Sequence, residues 1–332
     1  MYYIEVDQIK PQDLADTLTA VVTDGTNNLI VTYSPMTYMV RMYNRSSSSA
    51  QLKTLTQALY GYYQAAVNYL KNMNLASDFT QTYSSVSQLH EGVDLHEMNY
   101  IASEYGEVKA FALVVKADAN VEIKVSAGEV GQTSAESATV YKHFQNMENA
   151  GNNVIAMTNG GFFDLNQTGS YLPYGMLIVD GEVVQAPSAD KPKYTDNWFG
   201  MTKDGKYVIS NTEGYNSTYA GKVQQGVGGG YLLMENGIAK ELTSDGRHYR
   251  TAVGVNAAGD LVIVCVENAL YNEVNTIFAD MDMDIQTVLN LDGGGSTAMY
   301  VAGTYWPKAK ILGDSSWIKR EVPDAIAIVE KN

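Results

Sequence analysis

Apolar and polar positions alternate along most of this chain, with two distinct periods. Near the N-terminus, TAVVTDGTNNLIVTY reads as two strands around an Asp24-Gly25 turn, and YMVRMY as a third. The period then changes. Ser48 and Gln51 fit a capping box, and Leu52, Leu59, Ala66 and Met73 recur every seven residues, interleaved with Leu55, Tyr62 and Tyr69. This predicts one long helix over residues 48–73, its apolar stripe laid on the N-terminal strands or on a second copy of the chain. Residues 79–104 start Ser/Thr-rich and read as a connector. From about Lys109 the period returns to two. KAFALVVKADANVEIKVSAG predicts paired strands, ATVYKHFQNMENAG a short helix stopped by Gly151, and NVIAMTNGGFF a buried strand running into glycines. YGMLIVDGEVVQ, WFGMTKDGKYVIS and TAVGVNAAGDLVIVCVE predict three hairpins. Asn272 to about Asp282 predicts a helix, IQTVLNLDGGG a second buried strand ending in glycines, and DAIAIVE a last strand. The expected fold class is α+β. Mixed, mostly antiparallel sheets with flanking helices would follow a small N-terminal α+β appendage. The expected division is residues 1–78 for the appendage, 79–104 for the connector and start of the main domain, and 105–332 for the main domain.

Charge narrows the function. With 22 Lys+Arg against 37 Asp+Glu the formal charge is −15, which argues against a nucleic-acid partner, since phosphate neutralisation needs a basic stripe. No apolar run approaches the about 18 residues of a membrane span. The single cysteine, Cys265, leaves no internal disulfide and no multi-cysteine metal site. Tyr (24) far outnumbers Phe (7), a bias that suits half-wet, sugar-facing surfaces. The opening stretch YYIEVDQIKPQDLAD has neither a basic n-region nor an apolar h-region, so no secretory signal is expected within it.

Several motif-like strings fail on spacing. His90-Glu91 and His96-Glu97 lack the second histidine of a zinc-protease helix; position 94 is Asp. The DMDMD run, Asp280 to Asp284, lacks the glycine and the final glutamate of a calcium loop. GVGGGY has no following Lys-Ser/Thr and is no P-loop. Two strand-to-glycine junctions survive. One is Thr158-Asn159-Gly160-Gly161-Phe162-Phe163-Asp164 and the other Leu289-Asn290-Leu291-Asp292-Gly293-Gly294-Gly295-Ser296. In each, a buried strand fixes a polar side chain while glycines let a ligand approach backbone N–H groups, which suits an anion such as phosphate. A single DGG is more often a capped turn; two such junctions on one chain favour a shared site. The expectation is that Asn159 and Asp292 face a common cleft with Arg250 at its wall.

With NGGFFD, PYGMLIVDGEV, HYRTAVGVNAAGDLVIVCVE and VLNLDGGGSTAMYVAG in that order, the chain from about Gly92 to Glu330 resembles the phosphodiester glycosidase family. The resemblance matches Asn159, Gly160 and Gly161 to the family's N-G-G, with Phe162 and Phe163 at its aromatic pair. Pro173 and Gly175 fall at its P-x-G, Arg250 at the arginine before T-A-x-G, Asp292 to Ser296 at its signature loop, and Arg320 at an arginine before the last strand. The chain departs from the family where Glu267-Asn268 stands in place of Asp-Gly.

The resemblance implies hydrolysis of a sugar-1-phosphodiester, for instance of N-acetylglucosamine, on a glycoconjugate or surface polysaccharide. An oxocarbenium-like transition state calls for a carboxylate, and a phosphate leaving group for cationic and N–H donors. Asp292 is the first choice for the catalytic carboxylate, Glu267 the second and Asp164 the third. Asn159 would bind the sugar or orient water. Arg250, Arg320, Gly160, Gly161, Phe163, Asp164, Gly175, Gly293, Gly294 and Ser296 complete the expected binding set. No cofactor is required by the sequence, and a divalent metal on Asp292 is compatible with it. The expected partner is a carbohydrate or sugar phosphate, with oligomerisation through the N-terminal region. The expected setting is extracellular, periplasmic or virion-associated. The alternative is a non-catalytic carbohydrate-binding or structural protein, such as a phage virion component that grips host glycans.

Overall fold

Strand-forming runs with one or both faces apolar account for most of the fold, as seen in a computed structural model. It describes residues 76, 78–132, 134–165, 170–186, 196–242, 246–302 and 320–331, together with three strands before residue 45. The chain divides into two compact units, Met1–Asn74 and Leu75–Asn332. In the first unit β1 (Leu18–Thr23), β2 (Asn28–Ser34) and β3 (Met39–Asn44) form an antiparallel meander. The helix expected over 48–73 lies outside the described residues.

The second unit is built on three sheets. The largest joins β4 (Phe79–His90), β5 (Val93–Ala102), β6 (Gly106–Val115), β14 (Leu232–Glu235), β15 (Ile238–Ala239), β16 (His248–Asn256), β17 (Leu261–Ala269) and β18 (Ile285–Asn290) in the order β15-β14-β18-β16-β17-β6-β5-β4. A four-stranded sheet orders β19 (Met299–Val301), β8 (Val154–Asn159), β20 (Asp324–Glu330) and β7 (Val121–Ala127). A five-stranded sheet runs β10 (Glu182–Gln185), β9 (Leu177–Val179), β13 (Val223–Gly228), β11 (Asn197–Thr202) and β12 (Tyr207–Asn211). Every strand pairing among the described residues is antiparallel. The fold is therefore mostly β-sheet, with fewer helices than an evenly mixed α+β protein and without the parallel pairs that a mixed sheet would bring.

The period of two explains the layers. On β16 and β18 the odd positions Val253 and Leu289 enter one core with Ile155, Ile326, Leu177 and Phe199 of the smaller sheets. The even positions Ala252 and Val288 enter a second core, closed by Val274, Ile277 and Phe278 of helix α2 (Tyr271–Asp280). Each fully buried side chain of this size contributes roughly 1.5–3 kcal/mol, so a sheet buried on both faces must read as continuous apolar runs. Helix α1 (Val140–Asn149) starts where Thr139 accepts from Lys142 N, 3.2 Å, and ends at Gly151 with φ +86°. Both helices lie where the sequence places them.

Residues 79–104, read as a connector, instead form β4 and β5, with Val93, Leu95, Met98 and Tyr100 buried. The Ser/Thr content of β4 is that of a half-exposed strand at a sheet edge, where polar β-tolerant side chains face water. Among the described residues no helix is long and apolar enough to cross a membrane.

Candidate active site

The two glycine junctions arrive from different sheets and are stitched together by Asn159. All six residues of β8 are buried, and Asn159, at its end, has no solvent exposure. Its Nδ2 donates to the Asp292 carbonyl, 2.8 Å. Its Oδ1 accepts from Thr251 Oγ1, 2.8 Å, and from Ala298 N, 3.2 Å. Asp292 N donates in turn to the Gly160 carbonyl, 3.3 Å. The junctions thus meet, but Asn159 is a brace inside the wall and not a group lining a cleft. Thr251, on β16, is the second brace and carries no signal in the sequence.

Asp292 leaves the buried β18 and is itself half-buried. Its Oδ1 accepts from Gly293 N, 2.9 Å. Gly295 has no side chain because the Arg320 guanidinium lies over its Cα: a Cβ there would sit 2.6 Å from Arg320 Cζ. Burial pushes the Asp292 carboxyl up to about 6, against the pull of Ser296, the Gly293 N–H and the Arg320 charge. Ser296 is buried, and its hydroxyl faces Asp292 without completing a well-formed hydrogen bond to any described residue. A buried hydroxyl left in that state is a costly arrangement unless something else accepts or donates there.

A second carboxylate stands behind the first. Asp324 opens β20, is only 2% exposed, and takes Gly161 N on its Oδ1 at 2.8 Å. Its carboxyl lies against Gly160, where a Cβ would fall on Asp324 Oδ1. Burial raises it to about 7; the Gly161 N–H opposes this and the Asp292 charge adds to it. The signal was present in the sequence: DAIAIV puts one carboxylate at the head of an otherwise apolar strand, four residues after Arg320.

Other candidates have different duties. Arg250 is buried, its Nε donating to Ala269 O at 2.6 Å and its Nη2 to Gly246 O at 2.7 Å. Its Cζ lies 3.9 Å from the Tyr271 ring centroid. Because neighbours on a strand face opposite ways, Arg250 points to the α2 side while Thr251 points to Asn159. Arg250 therefore lies on the other face of β16 from Asn159, and the arginine whose charge acts on Asp292 is Arg320. Glu267 is half-buried near the end of β17. Asp164 interacts with Tyr174, and Phe163 is buried and stacked on Tyr171, centroids 5.7 Å apart, so it is core and not a sugar platform. Gly161 and Gly175 both approach Gly228, where a Cβ would stand 2.7 Å from its carbonyl oxygen and 2.6 Å from its Cα respectively. Gly293 similarly meets Tyr249 O, at 2.7 Å. Only Gly294 of the loop takes a left-handed φ, +59°, and it faces open space. Among the described residues no group of three or more His, Cys, Asp or Glu is placed to hold a metal ion.

The family model for phosphodiester glycosidases matches residues 152–329, a span holding both junctions, Arg320 and Asp324. The chain belongs to the phosphodiester glycosidase family. A search of curated proteins by sequence gives no match. Among solved structures, the chain is similar to the catalytic domain of zebrafish N-acetylglucosamine-1-phosphodiester alpha-N-acetylglucosaminidase, auto-inhibited by its pro-peptide. That likeness has a TM-score of 0.53 at 17% identity, over 75% of this chain and 88% of that one. A Synechocystis protein matches with TM-score 0.50 and 12% identity, over 95% and 76% of the two chains. A Burkholderia pseudomallei protein matches with TM-score 0.51 and 12% identity, over 77% and 98%. At these identities the likenesses establish the fold alone.

Proposed function

We propose that this protein hydrolyses a sugar-1-phosphodiester on a glycoconjugate or surface polysaccharide. The observation that carries this reading is Asp292: a carboxylate fixed by Gly293 N–H, beside the Arg320 charge and the unsatisfied Ser296 hydroxyl. In the reaction the bond between the anomeric carbon and the phosphate oxygen breaks, and its electron pair leaves with the phosphate. Asp292, ionised above about 6, supplies the negative charge that the developing oxocarbenium ion requires. A water oxygen then bonds to the anomeric carbon and gives up its proton to solvent. The leaving phosphate is already a stable anion, so donors matter more than a strong acid. Arg320 offers a planar fork to the phosphate, and Ser296 a buried hydroxyl facing Asp292 that can donate to it. Asn159 and Thr251 act at one remove, holding the Asp292 backbone.

N-acetylglucosamine is the first sugar to test, because the similar zebrafish enzyme is named for it. The full chain is incubated with aryl and alkyl phosphodiesters of α-N-acetylglucosamine, and released sugar is measured. Turnover that is stoichiometric in sugar and phosphomonoester supports the reading. Calorimetric binding of the same compounds without any turnover would instead make the protein a carbohydrate-binding module.

A further inference from the structure

We propose that Asp324 is the proton-holding partner of Asp292: substrate is taken when Asp324 is the neutral acid and Asp292 the carboxylate, and ionisation of Asp324 turns an anionic substrate away. The inference rests on the phosphodiester reading of the site.

The geometry begins at Gly160, which both aspartates share. Gly160 N donates to the Asp324 carbonyl, 3.2 Å, and the Gly160 carbonyl accepts from Asp292 N, 3.3 Å. The Asp324 carboxyl occupies the space that a side chain at Gly160 would need. An ionised carboxylate has about four acceptor sites to satisfy. Asp324, 2% exposed, receives one N–H, from Gly161, and no other hydrogen bond from the described residues. A buried anion so sparsely solvated favours its neutral form.

The surrounding charges point the same way. From the glycine-loop side Asp324 faces Asp292, with Arg320 beyond it. On the α1 side lies His143, whose Nε2 is 3.0 Å from Val322 O and whose Nδ1 is 2.9 Å from Ser126 Oγ. Burial lowers the His143 pKa, so it brings no positive charge. Glu321 is exposed and bound by Ser137 Oγ, 3.0 Å. Among the described residues Arg320 offsets the Asp292 charge, whereas the charge that bears on Asp324 is that of Asp292 itself. With Asp324 protonated, the charges of Asp292 and Arg320 offset one another where a phosphodiester would sit. With Asp324 ionised, a second negative charge stands beside Asp292, and the substrate brings another. Asp324 does not itself touch the reacting atoms; it is a positioning residue that sets the charge the substrate meets.

The test is Asp324→Asn in the full chain, since Asn keeps the acceptor for Gly161 N–H and never ionises. The expected wild-type kcat/KM falls below about 6, as Asp292 takes a proton, and falls again above about 7, as Asp324 loses one. In the variant the acid limb stays and the alkaline limb disappears. At pH 8.5 the wild type should have lost roughly twentyfold from its maximum and the variant almost nothing. An unchanged alkaline limb in the variant overturns the proposal. A readout independent of turnover is carboxyl-carbon NMR of the wild type, where the Asp324 signal should titrate near neutrality; titration at an ordinary aspartate value overturns it. Absence of turnover in every variant, combined with a neutral Asp324 titration, would reject the substrate assignment and leave the proton-holding pair standing.

Discussion

Replacing Asp324 by asparagine should change stability in a pH-dependent way whose sign the structure dictates. Asp324 is raised in the folded state from an ordinary 3.8 to about 7, mainly by burial. The folded protein therefore holds this proton more tightly than the unfolded chain does. The stabilisation from that tighter binding is complete below about 4 and is lost as pH rises through about 7. Asparagine has no proton to lose. The stability difference between variant and wild type should thus be smallest near pH 4, open between 4 and 7, and level off above. The span from 3.8 to about 7 corresponds to about 4 kcal/mol in favour of the variant at pH 8, as an upper bound. For a unit of this size that is a rise in Tm of about 10 °C. Asp292 also titrates in this range, but it is present in both proteins and its direct contribution largely cancels. The assay is urea unfolding at half-unit steps from pH 4 to 8.5, with calorimetric Tm beside it. A difference that stays constant with pH, or a variant less stable than wild type at pH 8, would refute the reasoning.

Other substitutions separate braces from site groups. Asn159→Ala orphans the Asp292 carbonyl and Ala298 N, both served by that side chain, and should cost about 3–5 kcal/mol in urea unfolding. Gly160→Ala drives a methyl into the Asp324 carboxyl and should cost about 1–3 kcal/mol; a second change, Asp324→Ala, should recover much of that in a double-mutant cycle. Arg250→Lys should lower stability by about 1–3 kcal/mol, through loss of its carbonyl bonds and the Tyr271 face, and leave substrate affinity near wild type. Arg320→Gln should do the reverse, weakening calorimetric affinity about tenfold or more, and it should move the acid limb of the rate profile upward because the Arg320 charge holds the Asp292 pKa down.

Much of this site was legible as pattern. Two strands ending in a polar residue and glycines do converge: β8 is buried along its whole length and β18 over its last three residues, and the Asn159 side chain at the end of β8 reaches the Asp292 backbone just past the end of β18. Two kinds of information were not legible. The direction of a side chain at a strand end depends on the partner sheet, so Asn159 could be read as facing ligand when it bonds Thr251 and Ala298 instead. Arg250 failed for the related reason that a one-residue step on β16 changes face. The other loss was pairing at long range. Asp324 is a single acid before an apolar strand, and only the packing of β20 against β8 brings it to Gly160 and Gly161. Glycines that suggested ligand approach at 161 and 175 are needed for backbone contact with Gly228. The Ser/Thr-rich stretch from residue 79 was misread because edge strands tolerate the same composition as linkers.

The central claim is that Asp292 supplies the charge for cleavage of a sugar-phosphate bond. The most direct measurement compares wild type with Asp292→Asn on an N-acetylglucosamine phosphodiester at pH 6.5–7, reading kcat by released sugar and Kd by calorimetry. Asparagine preserves volume and the acceptor for Gly293 N–H while removing the negative charge. The expected result is a kcat lower by about two to three orders of magnitude, with Kd unchanged or tighter, because a repulsive charge beside the phosphate has gone. An Asp292→Asn protein that folds as the wild type does and turns over at the wild-type rate would contradict the account.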